Sequence, residues 1–199
     1  MFIDLGDTQK MGIITALEKD ADPSGLLEYS VVFNDRSLNH MSVSFQTIMR
    51  DISSSLKDAY SAKSTILVPG GGTFGMEAIA RQFGSDKRCL VVRNGWFSFR
   101  WSEIFEKGKI AAETKVLYAS QQKEQAGDNV IKPFAPSALS DIKADISVYK
   151  PDIVCAPHVE TSAGMILPDD YIAGIADSVH EGGGLFVLDC VASGALFVD

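Results

Sequence analysis

Short runs dense in valine, isoleucine and leucine recur along the chain at residues 66–68, 89–92, 153–156 and 185–188, with a weaker run at 115–119. Runs this short, with no alternation of apolar and polar positions, predict strands covered on both faces, as in a parallel sheet with helices on either side. The stretches between them have helical spacing. Met76, Ile79, Ala80 and Phe83 form one stripe, Phe97, Trp101, Ile104 and Phe105 a second, and Ile172, Ile175, Ala176 and Val179 a third, predicting helices over 73–83, 96–105 and 169–180. Strand and helix alternate, so the expected fold class is α/β, a mostly parallel sheet flanked by helices and joined by right-handed crossovers. A longer stripe of Phe45, Ile48, Ile52, Leu56 and Tyr60 predicts a helix over 41–60, another helix is expected over 137–149, and residues 121–136 read as a surface loop. No repeat, low-complexity tract or linker divides the chain, so the expected organisation is an N-terminal segment, 1–40, followed by one domain, 41–199.

Composition narrows the class. A chain of 199 residues, 46% hydrophobic and 22% charged, can bury a sizeable core. Its net charge of -8, from 18 basic against 26 acidic residues, argues against nucleic acid or an acidic membrane surface as partner. Residues 151–199 carry eight acidic side chains and no Lys or Arg, so the imbalance is confined to that part. Cys89, Cys155 and Cys190 lie in or beside apolar runs rather than at metal-ligand spacing, which predicts reduced thiols and a cytoplasmic protein. No targeting segment or apolar stretch of membrane-spanning length is visible.

Four clusters follow the predicted strands. Gly70-Gly71-Gly72-Thr73 comes after the first run and opens a helix, where free N–H groups and the Thr73 hydroxyl can hold a phosphate. It is not a nucleotide P-loop, since no Gly-Lys-Ser/Thr follows. Asn94-Gly95-Trp96-Phe97 follows the second run, His158-Val159-Glu160-Thr161-Ser162-Ala163-Gly164 the run at 153–156, and Asp189-Cys190-Val191-Ala192-Ser193 the last. Ligands of open parallel sheets bind beyond the carboxyl ends of the strands, where all four clusters would gather. A phosphate loop, an aromatic plane, hydroxyl groups and a carboxylate are what a pyridoxal phosphate site requires.

With these motifs the sequence, over about residues 39–199, resembles the class V aminotransferases of the fold-type-I pyridoxal phosphate enzymes, near the alanine–glyoxylate and serine–pyruvate group. The resemblance implies that Gly71, Gly72 and Thr73 bind the cofactor phosphate and that Phe97 stacks on the ring, with Trp96 one residue away. It further implies that Thr161 bonds near the ring oxygen, that Asp189 pairs with the pyridine nitrogen, and that Val191 packs on the ring face opposite Phe97. Plainer roles stand beside these. Asp189 could cap the loop after its strand, and His158 and Glu160 could shape their turn and pair with each other. Ser42 could cap a helix next to His40, and His180 could sit on the solvent side of a helix C-terminus. Trp101 and Phe105 read as core, and Arg100 as a salt-bridge or surface residue.

The family's chemistry needs a Schiff-base lysine, and no lysine follows Lys150 here. The resemblance therefore implies that this lysine lies beyond Asp199, that the C-terminal small domain is absent, and that the chain alone is inactive. Residues 26–33 also differ from the Gly-Pro-rich start common in the family. The expected function is a homodimeric aminotransferase moving an amino group from a small amino acid such as alanine or serine to a 2-oxo acid. The alternatives are a non-catalytic ligand-binding or dimerisation module of the same fold, or another class V reaction such as desulfuration, decarboxylation or epimerisation.

Overall fold

The computed structural model of the chain describes residues 40–121 and 133–194, so the expectations for 1–39, for most of the 121–136 loop and for 195–199 lie outside the described residues. The chain divides into two compact units between Leu67 and Val68. In the first, helix α1 (Val43–Ala59) starts where the Ser42 hydroxyl accepts a hydrogen bond from the Phe45 N–H at 3.1 Å, the N-cap expected of serine there.

The second unit holds the alternating elements. Helix α2 (Gly72–Gly84) leads into strand β1 (Arg88–Arg93), helix α3 (Trp96–Lys107) and strand β2 (Glu113–Tyr118). Two short strands, β3 (Ser120–Gln121) and β4 (Phe134–Ala135), pair antiparallel ahead of helix α4 (Leu139–Tyr149). Strand β5 (Ile153–Pro157), the antiparallel pair β6 (Val159–Glu160) and β7 (Met165–Ile166), helix α5 (Asp169–Glu181) and strand β8 (Leu185–Asp189) follow.

The four longer strands form one parallel sheet in the order β2-β1-β5-β8. Because side chains alternate across a sheet, Cys89, Val91, Ile153 and Cys155 pack with Met76, Ala80, Trp101 and Phe105 of α2 and α3 on one face. Leu90, Val92, Val154 and Ala156 pack with Ile142, Ile146, Ile175 and Val179 of α4 and α5 on the other. Strands β1 and β5 are covered on both sides, which is why their sequences are unbroken apolar runs. The outer strands β2 and β8 are only half-buried, and β2 carries Lys115, whose Nζ donates to Asp145 Oδ1 at 2.6 Å.

One expected strand does not form. Residues 66–68 belong to no sheet, and Ile66 is 84% exposed. A strand exists by virtue of a hydrogen-bonded neighbour, and among the described residues no strand pairs with this segment, so its apolar composition alone does not make it one.

The chain runs from β1 outward to β2, then returns to the far side of β1 for β5 and β8. That reversal opens a crevice beyond the carboxyl ends of β1 and β5, where loops leaving adjacent strands diverge. Replacing Leu90, fully buried at the centre of β1, with Ala should cost about 2–5 kcal/mol. The expected outcome in urea titration is a lower unfolding midpoint with an unchanged slope.

Candidate active site

A cavity of about 370 Å³ occupies this crevice. It is lined by Gly72, Thr73 and Met76 of α2, by Phe97, Ser98 and Arg100 of α3, by Pro157, Val159 and Thr161 after β5, and by Asp189, Val191 and Ala192 after β8. Six of the seven residues singled out in the sequence therefore line one cavity: Gly72, Thr73, Phe97, Thr161, Asp189 and Val191. The seventh, Gly71, is the N-cap of α2 just outside the lining. Phe97 and Val191 are 51% and 75% exposed, leaving two apolar surfaces open to a ligand. Gly72 lies close against this wall, since a Cβ there would lie 3.2 Å from Val191 Cγ2.

The wall that carries Phe97 is held from a distance of more than sixty residues in sequence. In β6 and the turn after it, alternate side chains point opposite ways: Val159 and Thr161 line the cavity, whereas Glu160 and Ser162 turn toward the start of α3. The Glu160 carboxylate accepts from the Phe97 N–H at 3.0 Å, the Ser98 N–H at 2.9 Å and the Ser98 hydroxyl at 2.7 Å. The Ser162 hydroxyl accepts from the Trp96 N–H at 2.9 Å and itself donates to Glu160. Three N–H groups that a helix leaves unpaired at its N-terminus are thus satisfied, and a negative charge sits where the helix dipole favours one. Gly95 makes the approach possible, since a Cβ at that position would lie 2.5 Å from Ser162 Oγ and 2.8 Å from Glu160 Cδ.

Glu160 is only 1% exposed. Burial by itself pushes its carboxyl up, but the hydrogen bonds from Ser162, Ser98 and Phe97 outweigh that and hold it below its ordinary value. Glu160 is committed to α3, and His158 Nδ1 lies 2.9 Å from the buried Ser193 hydroxyl.

Asp189 ends β8 with both carboxylate oxygens engaged. Oδ1 accepts from the Val191 N–H at 3.1 Å, the loop cap considered for it from sequence, and Oδ2 accepts from the Trp101 indole Nε1–H at 3.2 Å. Neither bond removes it from the cavity lining. Arg100 is neither a salt bridge nor a free surface group: its Nη1 donates to the Thr73 hydroxyl at 2.7 Å, and it is the one cationic side chain in the lining. Trp101 and Phe105 are core, as expected, stacked with centroids 6.2 Å apart. The contacts of Arg100 and Trp101 with the site had a faint signal in sequence. Both lie three or four residues after Phe97 and so share its helix face. His180 is exposed near the end of α5, as expected, and Cys89 and Cys155 are buried free thiols with Cys190 half-buried.

No family model matches the chain. A curated relative, the alanine–glyoxylate aminotransferase of Rattus norvegicus, is 26% identical over 161 residues, 79% of this chain and 35% of the relative. Among solved structures, ureidoglycine–glyoxylate aminotransferase from Bacillus subtilis is similar at a TM-score of 0.60 with 25% identity, covering 75% of this chain and 35% of that one. Alanine–glyoxylate aminotransferase from Nostoc sp. is similar at a TM-score of 0.61 with 21% identity, covering 96% and 48%. The chain spans about a third of the length of the curated relative, 35%. Over that part it has the fold of the class V aminotransferases, the parallel sheet with flanking helices of the fold-type-I pyridoxal phosphate transferases.

The depressed carboxyl of Glu160 gives a pH-dependent expectation. Its contribution to stability is complete above the ordinary glutamate value of 4.5 and is lost as pH falls through its lower folded value. Glu160→Gln cannot accept from both backbone N–H groups and should cost about 2 kcal/mol near neutral pH. Thermal melts from pH 7 down to pH 3 should show the gap between parent and variant narrowing below about 4.5; a gap independent of pH would contradict the assignment.

Proposed function

We propose that this chain forms the cofactor-binding part of a pyridoxal phosphate-dependent aminotransferase that moves an amino group from a small amino acid, such as alanine or serine, to a 2-oxo acid. The observation that carries the reading is the single cavity that unites a helix N-terminus, an aromatic side chain, a hydroxyl and a carboxylate from four separate stretches of chain. The residues present fit the cofactor. The open space at Gly71 lets the backbone come close to a phosphate, and the α2 N-terminus has no side-chain cap to compete with one. Asp189 offers a carboxylate to the cavity although both oxygens already have donors, since each carboxylate oxygen has a second lone pair.

In this reading Gly71, Gly72 and Thr73 bind the phosphate, with Arg100 adding positive charge through Thr73. Phe97 and Val191 enclose the two faces of the ring, which excludes water and fixes its plane. Thr161 donates to the ring oxygen. Asp189 holds a proton at the pyridine nitrogen, because a carboxylate beside it favours the charged form. When bound, the cofactor supplies the electron-withdrawing ring on which transamination depends. The lining contains no lysine and the chain spans about a third of its curated relative, so amino transfer is proposed for the full-length protein. No described helix is long and apolar enough to cross a membrane. A cytoplasmic homodimer is the proposed state, on the resemblance and the reduced cysteines.

The test is an amino-transfer assay on that protein with alanine or serine and glyoxylate, following 2-oxo acid formation. The expected result is turnover that requires pyridoxal phosphate and falls about 100-fold or more in Asp189→Asn, which can no longer hold the nitrogen's proton. Turnover unchanged in Asp189→Asn, or no cofactor uptake by the parent, would overturn the reading.

A further inference from the structure

We propose that Trp101 is a positioning residue for Asp189, fixing through its indole N–H the orientation in which the carboxylate meets the ligand. The inference rests on reading the cavity as a pyridoxal phosphate site. Trp101 lies in the apolar layer between α3 and the sheet and is 1% exposed, so packing alone would be served by phenylalanine or leucine. An indole in such a place adds a donor that must find a partner or remain desolvated. The partner is Asp189 Oδ2, at 3.2 Å and 88 residues away in sequence.

Three features make this more than an incidental contact. The carboxylate is gripped on both oxygens, Oδ1 by the Val191 N–H and Oδ2 by the indole, which sets its plane as well as its place. The indole is itself immobilised, stacked against Phe105 at an interplanar angle of 29°. Finally, Trp101 stands one helical turn after Phe97, on the helix whose N-terminus Glu160 and Ser162 hold. The aromatic wall and the donor to the carboxylate are therefore parts of one rigid element, and the gap between Phe97 and Asp189 is set by a single helix.

A carboxylate oriented in advance loses little freedom when a ring nitrogen arrives, whereas one free to rotate must be ordered on binding. Removing the indole N–H should therefore weaken cofactor binding only while Asp189 is present. The experiment is a double-mutant cycle on the dissociation constant for pyridoxal 5'-phosphate, using Trp101→Phe, Asp189→Ala and the pair, with folding checked by thermal melts. Trp101→Phe is expected to weaken binding about tenfold in the parent and less than about twofold in the Asp189→Ala background. An equal loss in both backgrounds means that Trp101 acts only through packing, and overturns the inference while leaving the reading of the cavity intact. A parent that takes up no pyridoxal phosphate overturns that reading and this inference with it.

A second measurement leaves Trp101 in place and needs no ligand. The chain has two tryptophans, Trp96 and Trp101, so its indole N–H resonances can be assigned with Trp96→Phe. The Trp101 resonance should move, and its exchange with solvent should quicken, in Asp189→Ala. An unmoved resonance would overturn the inference even if Trp101→Phe fails to fold.

Discussion

A buried carboxylate bonded to the start of a helix governs the geometry of this site. Glu160 sits almost without exposure at the N-terminus of α3, where two backbone N–H groups, the Ser98 hydroxyl and the Ser162 hydroxyl all donate to it. Burying a charge is costly unless donors replace its hydration, and here four of them do. The consequence is positional. The loop after β5 cannot move independently of the helix after β1, so the two sides of the crevice are joined beneath the cavity.

Everything that α3 carries inherits that constraint. Phe97 contributes its ring at the helix start, Arg100 reaches Thr73 at the start of α2, and Trp101 reaches Asp189 at the end of β8. Residues three and four apart share a helix face, so one face of α3 touches the glycine loop, the aromatic wall and the carboxylate together. Alternation in β6 does the complementary work, turning Thr161 into the cavity and Glu160 away from it. Each of these two motifs therefore has a cavity-facing half and a half that holds another motif in place.

Much of this was legible in the sequence, for physical reasons that differ by element. Strands β1 and β5 are covered on both faces and so announce themselves as unbroken apolar runs, while β2, at the sheet edge, mixes Glu113, Thr114 and Lys115 with its apolar residues and reads weakly. The run at 66–68 has the same composition as a buried strand but no ladder beside it, and composition does not reveal a ladder. The gathering of Phe97, Thr161, Asp189 and Val191 followed from strand ends, because a parallel sheet brings those ends together, whereas Gly72 and Thr73 reach the cavity at the N-terminus of α2 with no strand of the sheet before them. What the sequence did not disclose were pairings between side chains distant along the chain: Glu160 with the α3 N-terminus, His158 with Ser193, and the Trp101 indole with Asp189. These depend on the rotation of each element about its own axis, to which periodicity is nearly blind once a residue is known to face inward.

The central claim is that α3 and β8 hold a ring between Phe97 and Val191 with its nitrogen toward Asp189. A crystal structure of the protein grown with pyridoxal 5'-phosphate tests it most directly. The account predicts ring density between those two side chains, the phosphate at the N-terminus of α2, and the ring nitrogen within hydrogen-bond distance of an Asp189 oxygen whose partner is still the Trp101 indole. Density elsewhere on the surface, or a ring whose nitrogen points away from Asp189, would contradict it.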